Sequence, residues 1–285
     1  MPALSNHQSQ RITKMLLIGN SGSGKTSALA SLARAGYNLR IIDADAGTDI
    51  LFNLLRDDPA AMERVIYELC QDKMKSVNGQ AIPDGIPGAT KKALGLMTHW
   101  KMPETKGTDG VVYPAYDLGP ISAWGSKDIL VIDSLTHFSI AALRYCRVTM
   151  PSKDGRMDYY NAQQIIEGML GLLCSDAIKC NVIVISHITY IGEEGNQRGY
   201  PAAIGSALSA RIGSYFNTCL QVATKGFGAN TKRMIYTQPI GDVDIKNSAP
   251  IGMPKEFGIE NGLAEFFAHV RGEIKQLPLE EKYNV

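Results

Sequence analysis

Eight consecutive residues, Gly19-Asn20-Ser21-Gly22-Ser23-Gly24-Lys25-Thr26, fit the phosphate-cradling pattern G-x-x-x-x-G-K-[ST] without a mismatch. The chemistry of such a segment is anion binding. Its glycines let successive backbone N–H groups converge on phosphate oxygens, and a helix opening at its end adds a partial positive charge. Gly19, Asn20, Ser21, Gly22, Ser23, Gly24, Lys25, Thr26 and the following Ser27 are therefore expected to wrap a nucleoside triphosphate, ATP. Lys25 would reach the β- and γ-phosphates, and the Thr26 hydroxyl would hold Mg²⁺. A second metal-holding group is Asp133, the acid that closes the apolar run Ile129-Leu130-Val131-Ile132. The residue after it is Ser134, so the group that activates water must come from elsewhere in the chain. Asp45, just past the apolar run that ends at Asp43, is the candidate. Asp43 is the rival base, and Asp-Ala-Gly is also ordinary turn chemistry, so turn capping stands as the other reading of Asp45.

These groups need a scaffold that brings three segments to one edge. Residues 15–18 read as a buried strand before the glycine loop, and residues 27–33 as a helix after it, with Leu29 and Leu32 on one face. Residues 38–43 read as a second strand, and 128–133 and 182–185 as two more. Helices are expected over 59–74, with Val65, Ile66 and Leu69 on one side, over 135–147, and from 159 to 176, where Ile165, Ile166, Met169, Leu170 and Leu173 make a stripe. Residues 76–125 hold Pro83, Pro87, Pro103, Pro114 and Pro120 with weak periodicity, and read as an irregular insertion containing short strands or helices. After a glycine-rich loop at 191–205 and a short helix, segments 215–222 and 234–237 are expected to pair as a hairpin across Lys225-Gly226-Phe227-Gly228. Strands alternating with helices give an α/β fold, a mainly parallel sheet with helices on both faces and a C-terminal β-hairpin. One domain over residues 1–285, with an extension after about 240, accommodates the chain.

Composition narrows the partners. The chain has 285 residues, 45% of them apolar, and a net charge of +1, so any nucleic-acid contact must be local and not a property of the whole surface. Its cysteines, Cys70, Cys146, Cys174, Cys180 and Cys219, form no C-x-x-C pair and read as reduced, mostly buried thiols. Residues 1–8 lack an apolar leader core, and no stretch approaches membrane-spanning length, which suggests a soluble intracellular protein.

The order of motifs resembles the RecA-type ATPase core. Ser134 in place of a Glu after Asp133 argues against the AAA+ and helicase arrangement. The turn Ile42-Asp43-Ala44-Asp45-Ala46-Gly47-Thr48, the Val131-Ile132-Asp133-Ser134 segment, the Pro201-to-Ala207 turn and the Lys225-Gly226-Phe227-Gly228 hairpin all have counterparts in that family. The resemblance covers roughly residues 14–240, excluding most of 76–125, and is greatest to the short phage-encoded RecA-core ATPases of single-strand annealing. It implies an RecA-like P-loop core, Asp45 as the base, and His187, at the end of the 182–185 strand, in place of a glutamine that senses the γ-phosphate. A satisfied structural histidine is the alternative for His187. Departures exist: Asp45 is a methylene shorter than the family's Glu, and no Phe-x-x-Ala segment precedes the P-loop.

The resemblance further implies single-stranded DNA as partner, with Arg147, Lys153 and Arg156 in a first loop and Arg198 and Tyr200 in a second. Cations interleaved with aromatics suit phosphate pairing and base stacking, although the same residues also read as a solvated basic face. A homo-oligomer, a single-strand DNA-binding protein as candidate partner, no membrane, and the cytoplasm of a bacterium or phage-infected host complete what it implies. Lys225, Lys232 and Arg233 are candidates for a cation supplied to a neighbouring subunit's γ-phosphate. The competing functions are a duplex-DNA motor or packaging ATPase, a P-loop small-molecule kinase and a nucleotide-gated assembly protein. His99, His137 and His269 show no partner pattern and read as structural.

Overall fold

The computed structural model describes residues 11–106, 110–249 and 251–274. The stretch read as lacking a leader, residues 1–8, lies outside them, as does the end of the C-terminal extension. In chain order the strands are β1 Lys14–Ile18, β2 Asn38–Asp43, β3 Val65–Leu69, β4 Met74–Val77, β5 Gln80–Pro83, β6 Lys101–Met102, β7 Thr105–Lys106, β8 Val112–Tyr113, β9 Tyr116–Asp117, β10 Asp128–Asp133, β11 Asn181–Ser186, β12 Ile188–Ile191, β13 Arg198–Pro201, β14 Thr218–Lys225, β15 Lys232–Tyr236 and β16 Glu256–Gly258. The helices are α1 Lys25–Arg34, α2 Asp49–Leu55, α3 Pro59–Met62, α4 Ala89–Thr98, α5 Leu135–Thr149, α6 Gly155–Cys174, α7 Ser206–Ile212 and α8 Gly262–Val270.

Eight strands form the main sheet in the order β16-β15-β14-β1-β11-β10-β2-β3. From β14 to β3 every pairing is parallel, while β15 and β16 add antiparallel strands at one edge. The apolar strands of the centre are buried on both faces, as a parallel sheet covered by helices requires. Strand β1 shows the division of labour. Met15 and Leu17 face a cluster that includes Leu29 and Leu32 of α1 and Phe266 and Phe267 of α8, whereas Leu16 and Ile18 face one built with Phe138, Ile166 and Leu208 of α5, α6 and α7. This is the α/β arrangement expected of a RecA-like P-loop core, including the β14–β15 hairpin.

Residues 59–74 depart from the expected helix. Only α3 is helical there, and β3 follows as the outer parallel strand against β2, pairing Leu39 with Val65 and Asp43 with Leu69. Val65, Ile66 and Tyr67 favour a pleated surface, and the edge of β2 supplies the hydrogen bonds an isolated turn of helix could not. Apolar spacing over so few residues fits either period.

The proline-rich segment contains the short strands, and a helix, expected of it. Strands β4 and β5 form a hairpin whose turn residues Asn78 and Gly79 both have positive φ, and β6 pairs with β9 and β7 with β8. Helix α4 buries Ala93, Leu96 and Met97 in the core that holds α5, and Trp100 is fully buried against Trp124, ring centroids 5.8 Å apart. Far from being dispensable, this segment closes one face of the sheet. Trp100→Ala should therefore cost about 3–5 kcal/mol. Chemical denaturation would register this as a fall in midpoint at nearly constant slope.

Candidate active site

The P-loop connects the end of β1 to the start of α1 at the C-terminal edge of the parallel strands, where open α/β sheets bind ligands. Two glycines are sterically required. Gly24 has φ 102°, and a Cβ there would stand 2.4 Å from Ile259 Cδ1; at Gly19 a Cβ would meet the Val222 carbonyl oxygen at 2.4 Å. No side chain caps the N-terminus of α1, so its first amides remain directed at whatever anion enters the loop. Ser21, Gly22, Gly24, Lys25, Thr26 and Ser27 line a cleft of about 330 Å³ together with Asp45, Ile50, Asp133, His187 and Arg233. Gly19 and Asn20 contribute carbonyls, and Ser23 is buried with its hydroxyl unpaired. The geometry of this loop fits a triphosphate.

Lys25 donates from Nζ to the carbonyls of Gly19 at 2.8 Å and Asn20 at 2.9 Å, and lies 3.4 Å from His187 Nδ1. Burial lowers its pKa, and the nearby Asp133 and Asp45 oppose that fall. An ammonium can only donate, so His187 Nδ1 accepts and the ring proton sits on Nε2, which faces Asp45 Oδ2 at 3.5 Å.

Thr26 donates from its hydroxyl to Asp133 Oδ2 at 2.6 Å. The two form an oxygen-donor pair of the type that suits Mg²⁺. Burial pushes the Asp133 carboxyl up to about 6; the Thr26 bond and Lys25 resist this, while Asp45 and Asp43 add to it.

The two candidate bases are separated by their partners. Asp43 is buried and accepts from the amides of Asp45, Gly47 and Thr48 and from the Thr48 hydroxyl. Its lone pairs hold the turn closed and leave nothing for a water. The Asp45 carboxylate instead faces Ser134, which donates from N at 3.2 Å and Oγ at 2.8 Å, and His137 Nδ1 at 2.5 Å. Burial raises its pKa, but the bonds from His187 and Ser134 and the electrostatic influence of the neighbouring His137 and His187 outweigh burial and leave it lowered.

His137 is the residue that sequence reasoning left as structural. Its signal was Ser134-x-x-His137: Ser134 caps α5, and one turn later the side chain returns to the capping end, beside Asp45. Arg233, a candidate for a cation supplied in trans, is placed within its own chain. It lies over its own P-loop, donating from Nε to the Gly22 carbonyl at 3.3 Å, and Lys225 is paired with Glu256 at 2.5 Å. Of the basic loop residues, Lys153 and Arg156 are exposed at the start of α6, Arg147 stacks on Tyr159 at 5.6 Å, and Arg198 of β13 pairs with Asp244 at 2.5 Å. Tyr200 is half-buried opposite Thr189. No helix among the described residues is long and apolar enough to cross a membrane.

Residues 11–249 match AAA_24, described as an AAA domain. The chain belongs to the AAA_24 family. As an AAA_24 member it is a P-loop ATPase, with Ser134 after the strand-end acid and Asp45 arriving from the neighbouring strand. No curated protein matches it in sequence. Among solved structures it is similar to the RadB recombinase, at 14% identity over 88% of this chain and 89% of that one, with a TM-score of 0.45. It is also similar to the flagellar accessory protein FlaH from Methanocaldococcus jannaschii, at 10% identity over 86% and 83% with TM-score 0.41. A third likeness is to the KaiC-like protein PH0186 from Pyrococcus horikoshii OT3, at 12% identity over 88% of each chain with TM-score 0.40.

The raised Asp133 pKa sets a pH test. Folding binds the proton more tightly than the unfolded chain does, so the ionised carboxylate costs stability above about pH 6 and the cost disappears as pH falls toward 4. In protein freed of nucleotide and metal, Asp133→Asn should raise stability by roughly 1–3 kcal/mol at pH 8 and by little at pH 4. Thermal melts across pH would show this gain, while the same variant loses ATP hydrolysis.

Proposed function

We propose that this AAA_24 protein is a Mg²⁺-dependent ATPase of the RecA-core type that binds single-stranded DNA and couples nucleotide state to DNA handling in recombination or annealing. The observation that carries this reading is the chain of contacts Lys25–His187–Asp45, set at the base of the β12–β13 hairpin on which Arg198 and Tyr200 stand.

Thr26 and Asp133 would hold Mg²⁺, which supplies charge neutralisation on the phosphate oxygens. Lys25, now satisfied by Gly19, Asn20 and His187, exchanges those partners for phosphate oxygens when ATP enters. Asp45 orients the attacking water and takes its proton as the water oxygen bonds to the γ-phosphorus and the bond to the bridging oxygen of ADP breaks. His187 loses Lys25 as the lysine moves, and its freed Nδ1 turns toward the phosphate. Because His187 directly precedes β12, its partner change is felt at the hairpin that presents Arg198 and Tyr200. This is a phosphate-driven switch of a loop against a rigid sheet.

Steady-state hydrolysis measured without DNA, with single-stranded DNA and with duplex DNA tests the proposal. Selective stimulation by the single strand is expected, and equal or greater stimulation by duplex would move the reading to a duplex motor. Lys25→Ala should lower kcat at least ~10²-fold, and Asp45→Asn should do so with KM nearly unchanged, as for a lost general base. His187→Ala is expected to keep single-strand binding and basal turnover within about tenfold while losing the stimulation.

A further inference from the structure

Asp45, His137 and His187 come from three segments: the turn after β2, the first turn of α5, and the link between β11 and β12. Each offers one ligand atom, and these atoms lie within 4.8 Å of one another. Oδ1 of Asp45 is 2.5 Å from His137 Nδ1, and Oδ2 is 3.5 Å from His187 Nε2. The two imidazole rings stand 5.9 Å apart between centroids and 76° to one another, so they converge on the carboxylate without stacking over the space between them.

The donor set discriminates between cations. Mg²⁺ and Ca²⁺ take oxygen ligands, which Thr26 and Asp133 provide in the same cleft. Two imidazole nitrogens with one carboxylate select a borderline transition ion and leave a coordination position for water. The supports that fix such ligands are also built. Ser134 holds Asp45 Oδ1 through both its amide and its hydroxyl, and the His187 amide donates to Thr136 Oγ1 at 3.1 Å.

Lys25 is a cation set against the cluster, 3.4 Å from His187 Nδ1. A metal on Nε2 requires the proton on Nδ1, where the lysine now donates, so the ion and this Lys25 contact exclude each other. At 3.4 Å this contact is long, and a divalent ion binding the cluster would displace it, leaving Lys25 with the Gly19 and Asn20 carbonyls.

We propose that Asp45, His137 and His187 form a binding site for a divalent transition ion of the Zn²⁺ class, distinct from the oxygen-ligand position at Thr26 and Asp133. The ligand set stands independently of the ATPase reading; only the position of the ion beside the γ-phosphate rests on it. An ion held there occupies the Asp45 lone pairs that would orient water, so metal binding and water activation by Asp45 are mutually exclusive.

Co²⁺ serves as a coloured substitute for Zn²⁺. The full chain, stripped of metal with a chelator and free of nucleotide, is titrated with Co²⁺ and followed by visible absorption. One ion per chain with intense four-coordinate bands is expected, displaced by equimolar Zn²⁺ and not by a large excess of Mg²⁺. His137→Ala and His187→Ala should each weaken binding more than ~10-fold, and His137→Gln provides a second test if the alanine variant fails to fold by circular dichroism. Lys25→Ala, which removes the opposing cation, should bind at least as tightly as the parent chain, and His99→Ala should match it. Absence of the bands, their survival in both His137 and His187 variants, or displacement by equimolar Mg²⁺ would overturn the proposal. Because no nucleotide is present, failure here is separable from failure of DNA-stimulated hydrolysis.

Discussion

The register between β2 and β10 is the constraint on which the active site rests. These strands run parallel with Asp43 level with Asp133, so two acids end adjacent strands side by side at the ligand-binding edge of the sheet. Their side chains then take opposite tasks. Asp43 turns into its own loop and binds three amides and a hydroxyl, which bends the chain back within two residues. That bend delivers Asp45 to Ser134, and Ala44 N donates to the Asp133 carbonyl at 2.6 Å to fasten the turn to the neighbouring strand. A slip of one residue would reverse the facing of every side chain in β2, moving Ile41 and Ile42 to the wrong cores and taking Asp45 away from the cleft.

The same packing concentrates charge. Asp43, Asp45 and Asp133 crowd one edge with Lys25 and two histidines among them. The cleft can tolerate this because nearly every charge has a directed partner, and charge-assisted hydrogen bonds contribute roughly 1.5–3 kcal/mol each. Asp133 is the exception. Its single side-chain partner, Thr26, does not offset its burial, and its raised pKa records the shortfall. A divalent cation at the proposed Thr26–Asp133 position would supply what is missing, so the group that is worst satisfied in the folded chain is the one that ligand binding would relieve. Stability is given up at the functional position, as is common where binding must be strong.

How much of this was legible in the sequence follows from the range of the interactions involved. The P-loop and the Asp133 strand are local: glycine spacing, an apolar run and a terminal acid carry them, and the alternation of strands and helices carries the fold class. Residues 65–69 were read as helix because five residues cannot distinguish the two periods, and the sheet edge that decides the matter lies some twenty residues earlier. Trp100 and Trp124 sat in a segment read as an irregular insertion with short strands or helices, and their burial in the core with α4 and α5 is a long-range fact that local pattern does not carry. Asp43 and Asp45 were left as rivals, and only the destination of their hydrogen bonds separates them. His137 was missed although its spacing from Ser134 is one helical turn, because that spacing matters only once Asp45 is known to stand at the capping end. Arg233 was one of three candidates, with Lys225 and Lys232, for a cation supplied to a neighbouring subunit by analogy with trans-acting arginine fingers, and its placement over its own P-loop depends on the pairing of β15 with β14.

Thr136 ties these local features into one mechanical unit. Its hydroxyl donates to the Ala202 carbonyl at 2.9 Å and accepts from the His187 amide at 3.1 Å, while Ala202 N donates to the His187 carbonyl at 2.8 Å and Ser186 Oγ to the Ala202 carbonyl at 3.1 Å. The base of the β12–β13 hairpin is thereby clamped to the ends of β10 and β11, three residues from Asp133. Beyond that base, residues 192–198 are exposed, while Gly199 is buried and donates from its amide to the Asp242 carbonyl at 2.8 Å. In the proposed switch, a rotation of His187 at this clamped base would pass along β12 to the exposed turn beyond it. The Arg198–Asp244 pair opposes movement of that turn, but both side chains are more than half exposed, and such pairs contribute about 0–1 kcal/mol. The hairpin is thus held by backbone bonds at its base and at Gly199, with the exposed turn between them the least restrained part.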